Sequence, residues 1–449
     1  MGAFLARFTP SNQIVAKVLG GARIVFGIRV AAAAISYVLI VALARWMGAS
    51  EYGIFAYAHS WIYLLALPAG LGLSAVCVRF LAEYSALNQW PKVRGLIGRS
   101  AAITLATGVA IALIAAAVIL VAPNLVKAPY RIPLLFAMFG VPLLALGALG
   151  SQVGRAFGWV AYAYGPSQIW QPVMLLLVAG LMAIGGASMS ARVLIPVSLA
   201  LYGVVIVVQA AVYARRLSPR LRDMPADYRH KEWLRVAVPL LVIDSFGALI
   251  LYADIVMVGF YLAPSDVAHY FAATRVAMVT SFFIASVGAL AGPNLAALHA
   301  QGKKKEMQEL LAGVTPWMTG PALAVTLVLA AAGWPLLRLF GPGFEAGYVA
   351  LLLLAAGHLV ASANGPVALI LNMTGHQDAC GKTYGAGALA NIGLNAVLIP
   401  RFGIAGAALA TALTTISMSV VLVTLVRRRL GLRSSIFGVL RTQPLSSPR

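Results

Sequence analysis

The chain has 449 residues, 61% of them hydrophobic and only 10% charged, with 33 Lys and Arg against 12 Asp and Glu. A soluble domain carries about 25% charged residues, so this composition excludes a soluble enzyme and requires a polytopic membrane protein. The net charge of +21 would suit a nucleic-acid binder or a membrane protein obeying the positive-inside rule, and the placement of the charges along the chain decides for the second.

In chain order, residues 1–23 form an amphipathic lead-in, with Phe4, Leu5, Phe8, Ile14, Val15, Val18 and Leu19 beside Arg7 and Lys17. It lacks the apolar core and cleavage site of a signal peptide, so the first spanning helix is expected to act as an uncleaved anchor. Apolar segments of spanning length follow at about 24–44, 53–77, 100–122, 131–152, 167–187 and 193–214. The most polar internal stretch, 215–235, then links to further segments at about 236–262, 267–297, 311–340, 346–371, 380–400 and 403–426, and a basic tail occupies 427–449. The expected architecture is an all-α polytopic membrane protein: an N-lobe at 24–214, a linker at 215–235 and a C-lobe at 236–426, with about 12 transmembrane helices in all. With the N-terminus in the cytoplasm, 25 of the 33 Lys and Arg fall on the cytoplasmic side, six fall on the opposite side, and Arg29 and Arg275 lie within the membrane. That asymmetry places both termini in the cytoplasm. Cys77 and Cys380 lie in or beside helices and are expected to be free thiols.

The two lobes resemble each other. At an offset of about 215 positions, MGASEYGIFAYA (Met47–Ala58) falls on LAPSDVAHYFAA (Leu262–Ala273), so that Ser50 meets Ser265, Glu51 meets Asp266 and Phe55 meets Tyr270. Two related halves are the common plan of a secondary transporter. The same offset puts Arg29 on Asp244. If the lobes are pseudo-symmetric, these opposite charges face one another across a cavity and form a cytoplasmic gate; the bland reading is a chance alignment.

No Walker loop is present, so ATP is not the direct energy source, and no Cys or His cluster has metal-ligand spacing. The informative residues are ionisable groups inside apolar helices, where such groups are expensive and commonly functional. Asp244 and Asp254 lie about 15 Å apart along one helix and do not share a face. They are read as a proton or sodium coupling site, or else as ion-pairing groups. His269 is read as an outer-face proton sensor or a plain helix-lining group. Asn391 and Asn395, spaced i, i+4, share a helix face. They either hydrogen-bond between helices or contact sugar hydroxyls.

The stretch RWMGASEYGIFAYAHS, followed by GLGLSAVCVRFLAEY, resembles the start of the bacterial oligosaccharide-lipid flippases, which export O-antigen and capsule repeat units. YADIVMVGFYLAPSDVAHYFAATRVA resembles their seventh and eighth helices, and LILNMTGHQDACGKTYGAGALANIGLNAVLIPRFGIAGAALATAL their C-terminal run. The resemblance covers residues 12–430. It implies the multidrug/oligosaccharidyl-lipid/polysaccharide (MOP) exporter fold, a MATE-like pair of six-helix lobes around a cavity with alternating access. It implies a flippase of polyprenyl-phosphate-linked repeat units in the bacterial cytoplasmic membrane, serving surface polysaccharide assembly. The implied partners are the lipid-linked oligosaccharide, membrane lipids and a polysaccharide polymerase or export complex; nucleic acid is not among them. No enzymatic step and no cofactor is implied; proton or sodium coupling remains the one reading of Asp244 and Asp254 and ion pairing the other. The cation-coupled drug exporters and the peptidoglycan-precursor flippases of the same superfamily are the alternatives. An anionic lipid linker needs positive charge in the cavity, and Arg suits phosphate through its planar fork. Arg29 and Arg275 are the candidate phosphate contacts, with Arg79 at the cytoplasmic end of the second helix as a further one or as an interfacial snorkelling group.

Overall fold

The computed structural model describes residues 13–222 and 224–440, without the side chains of 13–30, 230, 239, 243, 282, 283, 285–290 and 440. Most of the expected lead-in, the end of the tail and the side chain of Arg29 therefore lie outside the described residues.

The chain is helical, and no strand occurs among the described residues. The first half comprises α1 (Gln13–Ala69), α2 (Leu73–Ala86), α3 (Trp90–Val121), α4 (Ala128–Met138), α5 (Gly140–Ala156), α6 (Val160–Gly165), α7 (Gln171–Ile184) and α8 (Ala191–Leu221). The second half comprises α9 (His230–Tyr261), α10 (Pro264–Ala300), α11 (Lys304–Arg338), α12 (Tyr348–Ala363), α13 (Val367–Met373), α14 (Gln377–Leu430) and α15 (Ile436–Leu440). Eight helices among the described residues are long and apolar enough to cross a membrane, and nine if α4 and α5, bent by 44°, form one span. Two of these contain turns: α1 breaks at Gly48 (φ 75°, ψ 165°) and α14 at Gly403 (φ 58°, ψ −139°). Each is then a pair of crossings, and α10, with 37 residues, is long enough to span as well, which agrees with about twelve. The turns are tighter than the sequence pattern predicts because glycine alone enters these backbone regions freely.

Two ends can be distinguished. The link end carries the 215–235 connection; the hairpin end carries Gly48, Gly403 and the α9–α10 turn. At the 215-residue offset Gly48 falls on Ala263, which forms that turn with φ −75° and ψ 161°. The matched acids serve these turns differently. Asp266 accepts from the Ala263 N–H at 3.1 Å, whereas Glu51 accepts from the Ala191 N–H at 2.7 Å and ties down the start of α8.

Much of the linker is structured. Helix α8 runs on to Leu221 and α9 begins at His230. Between them the Asp227 N–H bonds the Pro91 carbonyl at 3.1 Å, and Arg94 donates to the carbonyls of Leu221 and Met224. The segment after α14 also folds back: Thr315 donates to the Ser434 carbonyl at 2.9 Å, and Gln308 exchanges two hydrogen bonds of 2.8 Å with the Arg433 backbone. Both cysteines are free and buried.

The apolar cores reveal the conformation. At the hairpin end one cluster joins both halves, with Leu43, Tyr52, Tyr57 and Tyr130 packed against Ile255, Phe271, Phe340 and Phe344. Gly53 makes this approach possible, since a Cβ there would collide with the Pro264 backbone. Toward the link end the core divides. One cluster holds Val76, Phe80 and Leu96 of the first half with Trp233 and Ala237 of α9; the other holds Leu295, Leu311, Ile370 and Leu422 of the second half alone. Among the described residues the two halves share one core at the hairpin end, whereas toward the link end α9 packs with the first half and the other second-half helices form a core of their own.

Candidate cavity and buried polar network

Arg275 lies about 16 Å along α10 from Pro264 at 1.5 Å per residue, near the middle of a hydrocarbon layer of about 30 Å. It is half-buried. Its guanidinium sits 4.5 Å from the centre of the Phe271 ring, and Nη1 lies 3.7 Å from Met278 Sδ. The ion pairs among the described residues are Arg229–Asp227, Lys303–Glu306 and Arg429–Asp378, all at the link end, so no described carboxylate neutralises Arg275. Its charge acts on Tyr52, His59, Tyr63, Tyr252 and Asp254. These rings form an aromatic series. His59 lies 5.9 Å from Phe55 and 4.9 Å from Tyr63, and Tyr63 stacks on Tyr252. A cation held at mid-depth among aromatic faces, in no ion pair with a described carboxylate, is suited to an anion carrying an apolar or sugar group.

Asp254 is 3% exposed and belongs to a different set of contacts. Its Oδ2 accepts from the Tyr270 hydroxyl at 2.6 Å and from the Thr411 hydroxyl at 3.2 Å, and its Oδ1 from the Ile255 N–H at 2.7 Å. Asn391 Nδ2 donates to Thr411 at 3.3 Å, and Asn395 Nδ2 donates to both oxygens of Asn391 at 2.9 Å. The network thus joins α9, α10 and both arms of α14. Asn395 Oδ1 is buried without a partner among the described residues.

The remaining sequence-derived residues are dispersed. Asn391 and Asn395 are both 0% exposed. In this conformation both are enclosed: Asn395 bonds Asn391 along its own helix, and Asn391 bonds Thr411 of the other arm. Asp244 is exposed and lies link-ward of the network, and the Arg29 side chain that would face it lies outside the described residues. Arg79 is exposed on α2, 5.5 Å from the Phe80 ring centre, the posture of an interfacial side chain. His269 packs against Phe344 at 5.2 Å, with neither ring nitrogen bonded to a described group. Sequence reasoning passed over Tyr270, Thr411, Tyr63 and Tyr252. Tyr270 had a signal, being the offset mate of Phe55 with a hydroxyl added.

Solved structures share this fold. An inward-facing multidrug resistance MATE family transporter of the MOP superfamily superposes with a TM-score of 0.74 at 13% identity, covering 91% of this chain and 96% of that one. Lipid II flippase MurJ in an inward closed conformation gives 0.70 at 14% identity, covering 93% and 91%. The fold is the MATE-like exporter fold of these structures, carried by helices long and apolar enough to cross a membrane several times. Within that class the family model described as polysaccharide biosynthesis protein matches residues 18–297, and the chain belongs to that family. A probable low-salt glycan biosynthesis flippase, Agl15 of Haloferax volcanii, is 25% identical over 175 residues, which is 38% of this chain and 37% of the relative. The match therefore spans little more than a third of that protein.

Proposed function

We propose that the protein is an alternating-access flippase that moves a lipid-linked oligosaccharide, joined to its lipid through phosphate, across the bacterial cytoplasmic membrane for surface polysaccharide assembly. The observation that carries this reading is Arg275: half-buried, at bilayer mid-depth, held against Phe271 with Tyr63 and Tyr252 in its field, and in no ion pair with a described carboxylate. Holding an unpaired cation there costs several kcal/mol. A substrate phosphate about 4 Å away offsets this by about 4 kcal/mol at an effective dielectric of 20. The aromatic faces suit the sugar next to the phosphate.

The charge asymmetry of the sequence makes the link end cytoplasmic. The core shared at the hairpin end and divided toward the link end then corresponds to the state that loads from the cytoplasm. Asp254, with Tyr270, Thr411 and the two asparagines, is the proposed site at which a proton or sodium ion resets the transporter. A polymerase or export complex is the expected recipient of the product. The family match over residues 18–297 supports the polysaccharide branch over a drug exporter.

The test is a deletion strain. Lipid-linked sugar is expected to accumulate on the inner leaflet, cleared by the wild-type gene and not by Arg275→Ala. Normal surface polysaccharide in the deletion strain, with no accumulated precursor, refutes the reading.

A further inference from the structure

At the hairpin end the seam between the halves contains a groove of about 640 Å³, lined by Arg45 and Gly48 of α1 and by Trp334, Arg338, Leu339 and Phe344 of the second half, among others. Arg45 Nε donates to the Leu339 carbonyl at 2.6 Å, which leaves four of its five guanidinium N–H groups for another acceptor. The Arg338 guanidinium lies 5.2 Å from the centre of the Trp334 ring, with its charge unneutralised by any described carboxylate. No acidic side chain lines the groove, and the nearby Glu345 is turned to the Gly343 N–H at 3.0 Å.

Only six Lys and Arg fall at this end of the spans, and two of them meet in one groove. The charge rule that empties this end of cations makes the convergence informative. Of the others, Lys127 and Arg131 each satisfy a backbone carbonyl, at 2.7 and 3.0 Å. Trp334, which lines the groove, is 44% exposed, and exposed tryptophans at the ends of spanning helices sit at headgroup depth. A groove at that depth, with two arginines, no acid and an indole wall, complements a lipid phosphate.

We infer that this groove binds the phosphate headgroup of a lipid in the hairpin-end leaflet, bridged by Arg45 and Arg338. The site is separate from Arg275 and holds whether or not the transport reading does. Under that reading it lies in the leaflet where the transported lipid emerges. Arg45 belongs to one half and Arg338 to the other, and Tyr37 meets Phe340 across the same seam at 5.9 Å. The groove is whole only while this end is closed, so a lipid phosphate bound in it favours closure.

The experiment uses the full chain in phosphatidylcholine nanodiscs with trace phosphatidic acid carrying a diazirine near the headgroup, and maps the cross-linked peptides. Labelling is expected at 44–49 and 334–344 and should fall at least tenfold in Arg45→Gln/Arg338→Gln, while labelling at Lys303–Lys305 and labelling of the groove in Arg275→Gln stay unchanged. Should the double variant not insert, Arg338→Gln alone, which removes no described hydrogen bond, should lose labelling severalfold. Undiminished labelling in these variants overturns the proposal. So does equal labelling of the groove by a diacylglycerol probe, which marks it as merely apolar. Displacement by millimolar pyrophosphate identifies a soluble anion site and overturns it too.

Discussion

Tyr63 and Tyr252 stack across the two halves with ring centroids 5.0 Å apart and planes inclined by 12°. They lie at the link-ward edge of the shared hairpin-end core, beside Arg275. Any opening of the hairpin end must part them. Such a pair contributes about 0.5–1.5 kcal/mol beyond its buried area, a two- to twelvefold bias toward closure. Tyr63→Ala should therefore shift the population toward hairpin-end opening by that factor, and Tyr63→Phe should not. Spin labels at Ser50 and Ser265, offset mates on either side of the seam, read the distance directly. An unchanged distribution in Tyr63→Ala would show that the stack does not govern closure.

Arg275→Ala should abolish transport of the lipid-linked substrate with the protein inserted in normal amount. Arg275→Lys should keep part of the activity, because it preserves the charge and loses the planar fork and its face against Phe271. Phe271→Leu, which retains bulk without the ring face, should weaken substrate affinity severalfold and leave Arg275 in place. Full complementation of a deletion strain by Arg275→Ala removes this residue from the mechanism.

The fold was legible because bilayer chemistry writes itself in runs of apolar residues, and the 215-residue offset brings together two positions, Gly48 and Ala263, that both lie at turns. Arg275 was legible because a lone cation in an apolar run needs a reason. The partners of Asp254 were not, since Tyr270 and Thr411 are ordinary helix residues until folding brings them within 3.2 Å of its carboxylate. Spacing placed Asn391 and Asn395 on one face, but whether that face meets a cavity or another helix depends on how α14 turns back at Gly403. The Tyr63–Tyr252 stack joins positions far apart in sequence, and no local pattern encodes it.

The topology follows from the 25-to-6 division of basic residues and has a simple test. With Cys77 and Cys380 replaced by alanine, single cysteines at Ser218 and Arg433 should resist an impermeant thiol reagent in intact cells and react after lysis. Both positions are exposed. Labelling of either cysteine in intact cells would invert the assignment of the link end to the cytoplasm.

The Asp254 network separates packing from coupling. Its carboxylate accepts two hydroxyl donors from other helical segments, and Asn391 extends the chain of bonds through Thr411. Asn391→Leu deprives Asn395 of one acceptor and Thr411 of a donor, with both asparagine positions fully buried. It should destabilise the protein by about 1–3 kcal/mol, the usual cost of buried polar groups left unmatched, read as a lower unfolding midpoint in detergent. Asp254→Asn keeps the shape and most of the hydrogen bonds but cannot carry the negative charge that attracts a proton or sodium ion. It should remain close to wild type in stability yet lose acceleration by an imposed ion gradient in proteoliposomes, while counterflow of substrate without a gradient persists. Transport by Asp254→Asn that still follows the gradient would assign the network to packing alone and place the coupling ion elsewhere, with the exposed Asp244 next to be tested.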